Sequence, residues 1–190
     1  MWRTALVELQ QTADIVNARI AETLGAACLK FAADATLSYG LAGRLYLSRS
    51  GWLLLKVPNA LGQGAFDALH ELGVEVPTSE TTGRYEAHIS VMRADEVERV
   101  GPGRISEVGH SIPFTLGPVK TVVPRGWPGV SRVWFIECRS PALEQLRRSY
   151  GLPSLPTPRP GADGYPFHIT FAIRRAGVLR ADTAVEKAPT

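Results

Sequence analysis

Cysteine is nearly absent. The chain of 190 residues has two, Cys28 and Cys138, which make neither a disulfide framework nor a paired-cysteine metal signature. A reducing, cytoplasmic setting is the expectation. No apolar run approaches the roughly 20 residues that a membrane helix needs. The first residues carry Glu8 and Asp14 among apolar neighbours, so the apolar block of a signal peptide is missing too. No membrane partner is expected. There is no Gly-x-Ser-x-Gly, the turn that presents the nucleophile of many serine hydrolases. Charge of either sign is in short supply: 21 Lys and Arg face 18 Asp and Glu, a net of +3. That balance is compatible with a phosphate-bearing ligand and far too small to establish one.

An apolar share of 45% and a charged share of 21% are those of a globular protein, with room for one full core. Histidine, at four residues, is scarce, yet two of the four sit in one repeated frame. Tyr85-Glu86-Ala87-His88-Ile89-Ser90-Val91 and Tyr165-Pro166-Phe167-His168-Ile169-Thr170-Phe171 share Tyr-x-x-His-Ile-hydroxyl-apolar. On a strand, alternate side chains face alternate ways. His88 and Ser90 then point together, as do His168 and Thr170, while Ala87, Ile89, Val91, Phe167, Ile169 and Phe171 point into a core. His70 and His110 lack the frame and are read as packing or loop residues.

Along the chain, Trp2, Leu6, Leu9, Ala13, Val16, Ile20 and Leu24 recur at helical spacing and end near Gly25. This helix either packs on its own domain or serves for docking and self-association. Residues 44–48 and 52–57 read as strands around Ser50-Gly51. Phe66, Leu69 and Leu72 mark a helix closed by Gly73. Residues 74–76 form a short extended piece, 95–100 a short helix, and 113–123 a hairpin or bent strand around Gly117-Pro118. Residues 130–139 are a strand. Ser140-Pro141 starts a helix with a hydroxyl cap and proline at the first helical position, and Leu143, Leu146 and Tyr150 form its buried stripe. A proline-rich loop then leads to the second histidine strand. Each half thus runs strand, helix, loop, histidine strand, with the histidines 80 residues apart. A duplicated α+β lobe fits that order, the two His-x-hydroxyl faces lining one cleft.

Two imidazoles across a cleft permit acid–base chemistry near neutral pH: one accepts a proton, the other donates one. Ser90 and Thr170 suit hydrogen bonding to phosphate oxygens better than nucleophilic attack. Phosphodiester cleavage fits these four groups without metal or cofactor. The competing readings are two core histidines satisfied by nearby hydroxyls, a two-histidine metal site with no acidic or cysteine partner at ligand spacing, and a Ser-His hydrolase. Tyr46, Trp52, Lys56, Tyr85, Arg132, Trp134 and Tyr165 are candidates for base and phosphate recognition. Arg132 and Trp134 share a strand face and are the foremost of these.

His88-Ile89-Ser90 and His168-Ile169-Thr170 resemble the two His-x-(Ser/Thr) signatures of the 2H phosphoesterase superfamily. That group includes LigT-like 2′-5′ RNA ligases, cyclic nucleotide phosphodiesterases and the phage enzymes that destroy the cyclic oligonucleotide signals of CBASS immunity. The resemblance implies a bilobal, duplicated α+β fold with antiparallel sheets around a central groove. It also implies metal-independent chemistry, with His88 and His168 sharing the base and acid roles, in an order that depends on the direction of the reaction, and Ser90 and Thr170 as phosphate clamps. On that reading residues 1–42 are an N-terminal helix and linker, 43–177 the phosphoesterase domain and 178–190 a tail. The expected substrate is a cyclic oligonucleotide or a 2′,3′-cyclic phosphate, the phage anti-CBASS type being the nearest in look. A non-catalytic nucleotide- or RNA-binding module, a structural domain in a larger assembly, and an RNA ligase or RNA-end processing enzyme are the alternatives.

Overall fold

The computed structural model describes residues 10–12, 14–26, 41–63, 74–78, 84–124, 127–157 and 164–176. The start of the N-terminal helix, Cys28, the helical stripe Phe66–Leu72 with His70, and the tail lie outside the described residues.

Strands β1 (Ala42–Leu47) and β2 (Leu53–Lys56) form an antiparallel hairpin. Its turn closes through Ser48 N–H donating to Trp52 O at 2.8 Å, with Gly51 at φ +83°, a backbone position that favours glycine. A short α2 (Ala60–Gln63) follows. β3 (His88–Met92) pairs antiparallel with β2. After it come α3 (Ala94–Val100) and a 3-10 turn at Pro102–Arg104.

The stretch read as a hairpin or bent strand holds two strands that pair in different sheets. β4 (Ser111–Pro113) pairs with β1, and β5 (Thr115–Val122) pairs with β6 (Val130–Arg139). Between them Phe114 is buried at 4% exposure and donates its N–H to Leu41 O at 3.0 Å, so the chain leaves one sheet and enters the other there. The Gly117-Pro118 break falls inside β5, at an irregularity in its register with β6. α4 (Pro141–Ser149) begins as the sequence predicts, the Ser140 hydroxyl accepting from Leu143 N–H at 3.2 Å. β7 (Phe167–Arg175) completes the second sheet.

The result is mixed α and β, with two antiparallel sheets ordered β3-β2-β1-β4 and β5-β6-β7. β3 and β7 lie against each other, and the Tyr85 hydroxyl donates across to Thr170 O at 3.2 Å. Glu75 pairs with Ile173 through two 2.8 Å backbone hydrogen bonds, so the extended piece after residue 73 lies beside β7. Leu45, Leu55, Ile89, Ile136, Phe167 and Ile169 fill one continuous core. Helical residues 14–26 (α1) bury Ile20 and Leu24 in it. Arg174 on β7 donates to the Asn17 side chain of α1 at 3.3 Å, and Gly25 lies beside Val119 of β5. α1 therefore rests on the second sheet.

Candidate active site

Both histidine strands show the alternation their sequences predict. Ile89 and Val91 are fully buried while His88 and Ser90 are half-buried; Phe167, Ile169 and Phe171 are buried while His168 and Thr170 are half-buried. The two rings are held in the same way. Nδ1 of His88 lies 2.8 Å from Glu86 O, and Nδ1 of His168 lies 3.0 Å from Pro166 O. A carbonyl oxygen only accepts, so each Nδ1 carries the proton. Each neutral ring then presents an unprotonated Nε2, and each charged ring an Nε2–H donor.

The approach to each ring is fixed locally. Asn59 accepts from Ala87 N–H at 2.9 Å and donates to Tyr85 O at 3.1 Å, pinning the residues before His88. Tyr165 N–H donates to Pro156 O at 2.9 Å. The rings of Phe135 and Tyr165 pack on His168, with centroids 4.9 and 5.6 Å away.

His88, Ser90, His168 and Thr170 line one cleft of about 860 Å³. The chain matches the family described as Swiss Army Knife, 2H phosphoesterase domain, over residues 51–178. It belongs to that family. No curated protein and no solved structure matches it. The matched span of the 2H phosphoesterase domain runs from the β1–β2 turn past the end of β7 and holds both motifs. Phosphodiesterase-type chemistry goes with that membership.

Burial lowers the pKa of His168 below its ordinary 6.5; the Pro166 carbonyl opposes this, nearby His88 adds to it and Glu137 opposes it. Glu137 is the register partner of His168 on β6. Burial, then Glu86, raises the Tyr46 phenol at the cleft wall. Among the described residues no group of three His, Cys, Asp or Glu side chains is placed to hold a metal ion.

Behind the site lies a buried polar cluster. Arg147 on α4 is 0% exposed and Glu96 on α3 is 2% exposed. The guanidinium bonds both Glu96 oxygens, at 2.9 and 3.1 Å, and also donates to Val91 O and, at 2.7 Å, to Pro153 O. Burial alone would raise the Glu96 carboxyl. Hydrogen bonds from Arg147 and from Arg93 N–H outweigh that and hold it below its usual value. Arg93 in turn donates to Thr157 O. One cluster thus grips the end of β3 and both ends of the loop 153–157, whose Pro156 carbonyl receives Tyr165.

Of the residues singled out for recognition, Tyr46, Trp52 and Tyr85 line the cleft. Lys56 stands opposite His88 in register, exposed, but is not part of the cleft wall. Tyr165 is not part of it either; its ring rests on His168, and burial raises its phenol. The pairing of Arg132 with Trp134 as a stacking platform is corrected. They do share a face, but Trp134 is 0% exposed under the Arg174 guanidinium, 5.2 Å from its ring, on the side covered by α1. The cleft side of β6 carries Phe135, opposite Thr170, and Glu137 instead. Alternation along β6 separates the two faces, and the register irregularity there takes up one extra residue on β7, between Thr170 and Ala172.

Trp127, Arg49 and Glu86 line the cleft and were not singled out. Trp127, 48% exposed, sits in Pro124-Arg125-Gly126-Trp127-Pro128-Gly129. A large aromatic stranded in a proline- and glycine-rich turn has no core to enter, and that is a readable signal. A separate hollow of about 380 Å³ touches Ser48 and Arg49 but none of the four motif side chains.

Proposed function

We propose that this chain is a metal-independent phosphodiesterase that cleaves a nucleotide phosphodiester by two-histidine acid–base catalysis. The observation that carries the reading is the shared cleft: two imidazoles, each held at Nδ1 by a backbone carbonyl, and two hydroxyls face one hollow. His168, with its lowered pKa, is neutral near pH 7 and serves as the base. Its Nε2 takes the proton of an attacking water or ribose 2′-hydroxyl as the new O–P bond forms. His88, in its protonated form, gives its Nε2 proton to the departing oxygen as the old P–O bond breaks. Ser90 and Thr170 donate to the non-bridging oxygens, where charge gathers in the transition state.

The two halves support a reading as duplicated lobes about a groove. In each, a hairpin (β1–β2 or β5–β6) is followed by a histidine strand paired to the hairpin's second strand. Tyr46, Trp52, Tyr85 and Trp127 on the cleft wall, with Arg49 among them, supply stacking faces and a cation for nucleotides. About 860 Å³ is near the top of the range for small-ligand sites, roughly 300–1,000 Å³, and favours a ligand larger than one nucleotide. A cyclic oligonucleotide, as in the phage anti-CBASS reaction, fits better than a mononucleotide 2′,3′-cyclic phosphate.

Incubation with cyclic di- and trinucleotides, 2′,3′-cyclic nucleotides and 2′-5′ linked oligonucleotides, in EDTA, with products weighed by mass spectrometry, tests this. Hydrolysis or transfer at phosphorus is the expected result. Tight binding of these ligands with no product would favour the non-catalytic module.

A further inference from the structure

Residues directly opposite one another in an antiparallel sheet share a face, on strands about 4.8 Å apart. In the first sheet His88 stands opposite Lys56, and Lys56 opposite Arg44. The next row on that face is Ser90, Leu54 and Tyr46, all three lining the cleft. Arg44, Lys56 and His88 therefore form a row leading out of the cleft across the sheet.

Arg44 and Lys56 are both exposed, and neither forms an ion pair among the described residues. Among the described residues, Arg44 donates from its Nε to Gly109 O at 2.9 Å and makes no other side-chain hydrogen bond. Like charges set directly opposite on a sheet repel, and a carboxylate beside them would relieve that. Glu86, two residues before His88, lines the cleft and makes no ion pair with either cation among the described residues. The second sheet differs at the matching place: the residue opposite His168 is Glu137. One histidine is flanked by cations and the other by a carboxylate. An anionic chain leaving the scissile phosphorus is drawn over the first sheet and turned away from the second.

We propose that the Arg44–Lys56 row beside His88 is a second phosphate subsite, taking an oligonucleotide with at least one phosphate beyond the scissile one. This rests on the phosphodiesterase reading above and narrows its substrate. Lys56 lies one strand spacing from His88 and Arg44 two, so a flanking phosphate anywhere along the row meets a cation. The bare register of the sheet sets the direction of the bound chain.

The test compares adenosine 2′,3′-cyclic phosphate, which has one phosphate, with cyclic di-AMP and adenylyl-adenosine 2′,3′-cyclic phosphate, which have two. With Lys56→Met, and separately Lys56→Gln, KM for the two-phosphate substrates is expected to rise about tenfold. The salt dependence of their kcat/KM is expected to lose about one unit of slope. The one-phosphate substrate should be affected much less. Arg44→Met added to Lys56→Met should deepen the same loss. Equal effects on one- and two-phosphate substrates, or no effect on either, would overturn the subsite. Binding is read separately by calorimetry in a His88→Ala background with the same probes. If the wild-type protein cleaves none of them, yet Lys56→Met still weakens only two-phosphate binding, the subsite stands and the catalytic reading falls.

Discussion

Arg147 and Glu96, distant in the chain, meet in a two-pronged ion pair from which water is excluded, with N–O distances of 2.9 and 3.1 Å. The same guanidinium holds Val91 O, next to Ser90 in β3, and Pro153 O at the start of the loop toward β7. A single side chain thus ties β3 to the loop whose Pro156 carbonyl receives Tyr165 N–H, two residues before β7. Removing one partner leaves the other charge buried and unpaired. Arg147→Met or Glu96→Gln is expected to lower unfolding free energy by about 3–5 kcal/mol. Denaturant melts check this; a loss within about 0.5 kcal/mol would contradict it.

The pKa of His168 sets a pH signature. Its folded value lies below the ordinary 6.5 because burial penalises the charged ring. The fold therefore binds this proton less readily than the unfolded chain does. The group costs no stability above about pH 6.5, and stability falls as pH drops from there toward the lowered value. For activity, the acid limb of kcat/KM reports the base in the free protein, so its midpoint is expected below 6.5. Opening the ring's packing with Phe135→Ala should move that midpoint upward. His88 and Glu137, the titratable neighbours that act on His168, remain in that variant.

The two hydroxyls are expected to act on the transition state. Ser90→Ala and Thr170→Ala should each lower kcat by about 10²-fold, near the value of one oxyanion donor, with KM changed much less. A rise in KM at constant kcat would assign them to ground-state binding.

Trp127, on the cleft wall, is 48% exposed. If a base stacks there, Trp127→Ala weakens nucleotide binding by about 1–3 kcal/mol. Because Trp127 is so exposed, thermal stability should hardly change. Fluorescence quenching by bound nucleotide provides a direct readout, and an unquenched, unaffected cleft would count against stacking.

The motif strands were legible because alternation is local: His88 and Ser90 must point together whatever the rest of the chain does. Ser140-Pro141 was legible for the same reason, since the cap and the fixed proline φ act within one turn. What depends on partners was not. Trp134 and Phe135 are adjacent aromatics in one strand, and only the register with β7 and the covering α1 decide which is core. Arg147 follows Leu146 on the buried stripe of α4, where a charge reads as solvent-facing until Glu96 arrives from 51 residues away. Phe114 gives no sign in sequence that the chain changes sheets there. Trp127 could have been found, as an aromatic with no apolar neighbours to join.

The account stands on two imidazoles acting together on one phosphorus. Single-turnover cleavage by His88→Ala and by His168→Ala, with whichever phosphodiester the wild-type protein turns over, tests this most directly. Each variant is expected to lose about 10²–10⁴-fold in rate while binding that ligand with little change, and the double variant to be scarcely slower than either single one. Full turnover in either single variant would contradict it.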